Sequence, residues 1–397
     1  MKTLIPFLLA FAISLTICAQ DAHFSQFYAN RIYLNPAYAG FDPGTTLTLN
    51  YRDQWFGVPD GDISTFANSY RTFNATANFQ IPCFLQLEDV NSGVAFSVFR
   101  DEAGRAPLVT QGSSVGFSHE IPLTRPNDKN RFDLRLGFQS GFMQRSLRSN
   151  FLIYSDQLDP VWGLQGNEPL TLDLQSRWFP VINAGVMIRG FSRKRKARKK
   201  SLSQGLLYTI GASFSNVNQP NESLLGVGGE VTLPMRFTFH AGAAFEAVSL
   251  RGVQAPIIVA PQFRWDRQSE LNLQTLGAYV FTKAYYGGLF FQYNLAPGNP
   301  DGTLGGSIRS AGNTRTLILN AGLDIRSMFD NGVPWRKRKS GLILGLAYDI
   351  NLSGLNSATT LGVFELNLRV NFWDNKRRNC GELGKFEFFD GKCPVRF

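Results

Sequence analysis

The 397-residue sequence predicts an all-β fold, a transmembrane antiparallel β-barrel of about fourteen strands behind a cleaved signal peptide. Three observations predict it. The chain repeats ten-residue segments of alternating polarity, its composition favours strands and turns, and its amino terminus is laid out as an export signal. Only 18% of residues are charged, whereas Gly (38) and Phe (34) are abundant, a mixture poor in helix formers.

Residues 1–19 read as the signal: Lys2, an apolar stretch from Leu4 to Ile17, then Cys18 and Ala19 before Gln20. Cleavage after Ala19 is expected. A lipoprotein would instead begin at Cys18, but Ile17 is larger than the small residue such processing prefers. No later stretch approaches the ~18 consecutive apolar residues of a membrane helix. The exported product is therefore soluble or a barrel.

Residues 20–44 form a polar, Pro-interrupted segment expected in the lumen or at the periplasmic rim, and the barrel is expected over 45–373. A spanning strand shows lipid an apolar side chain at every second position and the lumen a polar one. Thr45 to Arg52 does so, with Leu47, Leu49 and Tyr51 opposite Thr46, Thr48, Asn50 and Arg52. Phe73 to Gln80 repeats the pattern, as do the segments following Leu206, Arg236 and Phe364. Strands are expected to start near 45, 72, 93, 112, 131, 181, 205, 236, 256, 270, 285, 315, 341 and 362. Those near 181, 256 and 285 are blurred by Gly, Pro or continuous apolar runs. A soluble β-sandwich or propeller would also alternate, but its polar faces would carry many Lys and Glu. Here they carry Asn, Thr, Ser, Gln and Gly, which suits a confined lumen. The register also predicts that Arg is costly at the lipid-facing Leu47, Phe79, Phe239 and Leu368, and much cheaper at Thr48, Asn78 and Asn367.

With both termini in the periplasm, links after odd-numbered strands face outward. The long links at 53–70, 147–178, 216–234 and 296–313 then lie outside, and a periplasmic tail occupies 374–397.

The mature amino terminus carries Asp21, His23, Phe24, Ser25, Gln26, Phe27, Tyr28 and Asn30, then Leu34-Asn35-Pro36-Ala37-Tyr38-Ala39-Gly40, then Tyr51-Arg52-Asp53-Gln54-Trp55. This resembles the PorP/SprF family of outer-membrane barrels in the type IX secretion system of Bacteroidota, associated with gliding motility and adhesin export. Weaker matches continue through 153–160, 214–220 and 286–289 to Cys393-Pro394. The resemblance implies a non-enzymatic component that helps secrete, or anchors at the surface, cargo carrying a type B C-terminal sorting domain. His23, Phe24, Ser25, Gln26, Tyr28, Asn35, Pro36, Gly40, Arg52, Gln54 and Trp55 are the family-like positions, and a partner contact is one reading of them. A space-filling plug is the other. A passive porin is the rival function.

Catalysis has little to work with: His23, His119 and His240 lie far apart, and neither a His pair nor a Cys-X-X-Cys spacing suggests a metal. No cofactor is expected. Of the mature cysteines, Cys380 with Cys393 is the simplest pairing, leaving Cys83 over, and all three unpaired is the alternative. Arg193, Lys194, Arg195, Lys196, Arg198, Lys199 and Lys200 form a basic run, followed later by runs at 336–339 and 376–378. Export argues against nucleic acid as their partner. Strand parity puts them in the periplasm, either as solvated turns or as docking points for an acidic component of the machinery beside outer-membrane lipid.

Overall fold

A computed structural model describes residues 21–42, 44–55, 70–82, 91–104, 108–124, 130–148, 158–159, 163–164, 173–192, 206–224, 231–248, 257–269, 271–282, 284–294, 315–325, 340–352 and 361–372. The signal peptide, the three basic runs, Cys83, Cys380, Cys393 and the tail lie outside the described residues.

The strands are β1 (Thr45–Gln54), β2 (Tyr70–Pro82), β3 (Asn91–Ala103), β4 (Leu108–Pro122), β5 (Asn130–Arg148), β6 (Leu158–Asp159), β7 (Gly163–Leu164), β8 (Asp173–Gln175) and β9 (Phe179–Ser192). They continue as β10 (Leu206–Ser215), β11 (Arg236–Val248), β12 (Ile257–Gln268), β13 (Leu271–Phe281), β14 (Tyr285–Asn294), β15 (Arg315–Asp324), β16 (Ser340–Asn351) and β17 (Val363–Phe372). Fourteen of them, β1–β5 and β9–β17, make one antiparallel ring. Each pairs with its neighbour in the chain, β5 joining β9 past the short β6–β8, and β17 closes on β1 from Thr45↔Phe372 to Gln54↔Val363. Closure satisfies the backbone of every long strand and leaves no edge, as a wall in hydrocarbon requires. All fourteen expected strands form, including the three with blurred periods.

The two faces separate as the alternation predicts. Along β1, Leu47 and Leu49 are 40% and 43% exposed on the outside, whereas Thr46 and Asn50 are 3% and 0% exposed on the inside. Aromatic rings pack together on the outer face, for example Phe214 on Phe237 at 5.2 Å and Phe237 on Trp265 at 5.7 Å. An exposed apolar exterior of this extent is what a bilayer would cover.

The inside is not an empty lumen. Residues 21–42 run through the ring as a plug containing a single helical turn, α1 (Arg31–Leu34), and a 3-10 turn at Pro36–Tyr38. Asn35 sets the second turn: its side-chain oxygen accepts the Ala37 N–H at 2.9 Å, and Pro36 fills the first position, where no N–H is needed. Gly40, at φ +65°, then turns the chain toward β1. The principal apolar core lies between plug and wall, where Phe27, Tyr28 and Ile32 meet Ile258, Tyr279, Phe290 and Ile318. We call the end where β1 begins the first rim and the end where β1 stops the second rim.

Candidate functional site

The site is the plug and the wall that cradles it. Toward the second rim, the Ser25 and Gln26 backbone N–H groups donate to the two carboxylate oxygens of Glu365, at 2.7 and 3.0 Å. Arg52 lies among these acids, 3.2 Å from Asp349 and 3.3 Å from Glu365, and also donates to the Ser25 hydroxyl at 2.5 Å. The Ser25 hydroxyl in turn donates to Asp349. Three strands, β1, β16 and β17, thus converge on one dipeptide of the plug.

Nearby, Arg264 Nη1 donates to the Phe24 carbonyl and Nη2 to His23 Nδ1, both at 3.0 Å. Burial, and then the charges of Arg264, Arg52 and Arg236, hold the His23 imidazole well below its ordinary range, so the ring accepts this bond as a neutral base. Arg236 lies 4.5 Å over the Tyr33 ring and donates to its hydroxyl at 2.9 Å. Burial pushes the Tyr33 phenol up to about 12, against the opposing pull of Arg236.

Deeper in, Asn35 uses its amide nitrogen to reach the Val186 and Ala212 carbonyls, each at 3.2 Å, and His240 Nε2 at 3.1 Å. The Ser213 hydroxyl donates to the Leu34 carbonyl at 2.7 Å. Arg135, 1% exposed, donates to the carbonyls of Ala37 at 3.0 Å and Ala39 at 2.7 Å, and to Glu120 at 2.5 Å. Arg189 ties Glu120 to Asp133, at 3.2 and 3.0 Å. A Cβ on Gly137 would overlap the Pro36–Ala37 backbone, so this stretch of wall must be glycine for the plug to lie so close. At the first rim Asp42 pairs with Arg31 at 2.7 Å and with Arg369. Burial, then repulsion from Arg369, lowers Arg31 to about 10 despite Asp42.

Of the family-like positions, His23, Phe24, Ser25, Gln26, Tyr28, Asn35, Pro36, Gly40 and Arg52 all meet at this plug–wall contact. Gln54 and Trp55 sit apart at the second rim, where Trp55 donates its backbone N–H to the Gly362 carbonyl at 2.9 Å and packs its ring on Tyr70. Sequence reasoning passed over Glu120, Asp133, Arg135, Arg189, Arg264 and Asp349. Their signal was present: each is a charged residue at a lumen position of an alternating strand, where a confined face tolerates charge only with a partner. Thr48, Asn78 and Asn367 require a correction. They were expected to accept Arg cheaply, but all three are buried, and Asn78 bonds the Gly40 N–H at 2.6 Å and the Tyr38 carbonyl at 3.3 Å.

The plug fills the lumen unevenly. Toward the first rim, the spaces beside it are about 40 and 20 Å³. Toward the second rim, a cavity of about 800 Å³ lies between the plug and β2–β5, β9 and β10. Among the described residues no cluster of His, Cys, Asp or Glu could hold a metal ion, and no helix is long and apolar enough to cross a membrane.

A closed antiparallel ring with an apolar exterior and a polar, plugged interior defines an outer-membrane β-barrel protein. The chain belongs to the family described as type IX secretion system membrane protein PorP/SprF, whose model matches residues 17–370. That family and this fold are those of a secretion-system membrane protein and not of a known enzyme class. No curated protein matches the sequence. Among solved structures the chain is similar to a FadL homologue of Pseudomonas aeruginosa, at 11% identity over 87% of this chain and 94% of that one, with a TM-score of 0.36. It is also similar to the β domain of the Bordetella autotransporter Brka, at 10% identity over 84% and 100% of the two chains, with a TM-score of 0.34. Pseudomonas putida OprB shares 8% identity over 83% and 93%, also with a TM-score of 0.34.

Proposed function

We propose that the protein is a non-enzymatic docking component of the type IX system that supports secretion, or surface anchoring, of cargo with a type B C-terminal sorting domain. Family membership supports the system, and the observation that carries the docking role is the plug. A passive porin needs an open lumen, whereas here a segment of the chain itself is held across it by hydrogen bonds with buried, ion-paired wall residues on several sides. On this reading both termini are periplasmic, as is the basic run 193–200, which would dock an acidic partner of the machinery. Most of the family-like plug positions face the wall, so contact between a partner and these side chains requires the plug to move. The motif then acts first by fixing the plug. Deleting the protein should leave a surface cargo undelivered with solute uptake unchanged; loss of solute uptake with normal cargo delivery would favour the porin. For orientation, single cysteines at Ser192 and Ser340 should resist a membrane-impermeant reagent too large for porins in intact cells. Labelling there would place these turns outside.

A further inference from the structure

The wall recognises the plug chiefly through its main chain. Arg135, Ser118, Asn78 and Ser213 reach the carbonyls of Leu34, Tyr38, Ala37 and Ala39. Above this contact, the same wall opens onto the 800 Å³ cavity, which Asp101, Arg145, Glu222 and Arg236 also line, and presents there a band of neutral donors and acceptors. Asn74 donates to Ser97 at 3.2 Å, Gln139 to Ser114 at 2.7 Å, and Asn183 to Gln139 at 3.0 Å. The accepting hydroxyls of Ser97 and Ser114 each keep a proton to offer to a ligand carbonyl. Next to them, closer to the second rim on the same strands β5 and β9, Met143, Phe179 and Val181 form an apolar cluster with Leu233, and Arg145 pairs with Glu222 at 2.6 Å.

We propose that this cavity binds an extended peptide segment of another exported polypeptide. The small polar groups suit a main chain, and the adjoining apolar cluster suits side chains of an extended strand. Length agrees: β4 lines the cavity from Leu108 to Ser114, which at about 3.4 Å per residue is roughly 20 Å, the span of about six extended residues. A sugar is the weaker fit, since Phe99 already has one face covered by Tyr33, stacked at 5.8 Å and 15°. The proposal rests on the secretion reading only for which polypeptide supplies the segment.

The test uses the full chain in its native membrane with p-benzoylphenylalanine replacing Met143 or, separately, Leu108. Adducts should map to one short contiguous segment of an exported polypeptide. A synthetic peptide of that segment should bind the purified barrel and bind at least tenfold more weakly to Ala103→Trp, which narrows the cavity. Ala75→Trp, on the lipid face, controls for bulk and should bind as the parent does. Adducts confined to the chain's own residues, adducts on glycan or lipid, or equal peptide binding in all three proteins would overturn the site. A mapped segment from a polypeptide outside this secretion system would sink the functional reading and leave the site standing. Lost cargo delivery in a deletion strain, with no peptide adduct, would do the reverse.

Discussion

Strands β3, β4, β5 and β9 carry two different inner surfaces along one length. Toward the first rim they present Ser118, Glu120, Asp133, Arg135 and Arg189, closed upon the plug; toward the second rim they present Ser97, Thr110, Ser114, Gln139 and Asn183, open to the cavity. The closed half meets the plug with charge, whereas the open half, beside charged residues such as Asp101 and Arg145, offers a band of hydroxyls and amides. The difference follows from what each must satisfy. A permanently docked segment buries main-chain carbonyls, and a guanidinium paired with carboxylates can serve two of them at once. The neutral band pays no such desolvation and can stand empty or filled, as reversible binding requires.

The largest expected effect comes from breaking the closed half. Arg135→Leu leaves the Ala37 carbonyl and part of Glu120 unserved, and should cost about 3–5 kcal/mol, toward the lower end because Ser118 still serves Ala39 and Arg189 still faces Glu120. Thermal unfolding in detergent gives the cost, and hydrogen exchange should rise at residues 37–41. An unchanged melting temperature with a protected plug would mean that the charge cluster is dispensable.

Next come charges introduced on the three kinds of surface. Arg at Leu47 or Leu368, facing lipid near the midplane, should cost roughly 2–4 kcal/mol. Asn78→Arg should also be costly, since it displaces the plug's Gly40, whereas Ser114→Arg opens into the cavity and should be tolerated. Equal costs at Asn78 and Ser114 would erase the distinction between the halves. Gly137→Val should cost about 1–3 kcal/mol by overpacking against Pro36 and Ala37, with the barrel still inserted.

The smallest expected effect is the pH dependence of plug docking. Docked, His23 stays neutral well below its ordinary range; released, it titrates near 6.5. The released state therefore binds more protons below that pH, and docking is strongest above about 6.5 and weakens as pH falls, by at most about 1.4 kcal/mol per unit. Exchange at residues 24–28 should be faster at pH 5 than at pH 7.5, and His23→Gln should remove the difference. A pH response that persists in that variant would assign it elsewhere.

The barrel was legible in the sequence because lipid imposes a period of two that survives any lumen content. The three blurred strands show where that legibility thins. On β9, β12 and β14 the inner positions include Met187, Ile258, Ala260 and Phe290, apolar because they join the core that the plug forms with the wall, so the polar-inside rule lapses there. At the site, the motif from His23 to Gly40 was visible as a segment, but its partners were not. Glu120, Arg135 and Arg189 lie on three strands, and Ser25 meets Glu365 across almost the whole chain. Alternation says that such charges face inward, and only the closed ring says which of them meet.

The central claim is that the lumen is occupied by residues 21–42 and is not an open pore. Single-barrel conductance in planar bilayers, comparing the parent with a variant lacking 21–42, tests it most directly. The parent should show no steady ion conductance, and the deletion variant should show a persistent one. A parent that conducts steadily, at a level the deletion leaves unchanged, would contradict it.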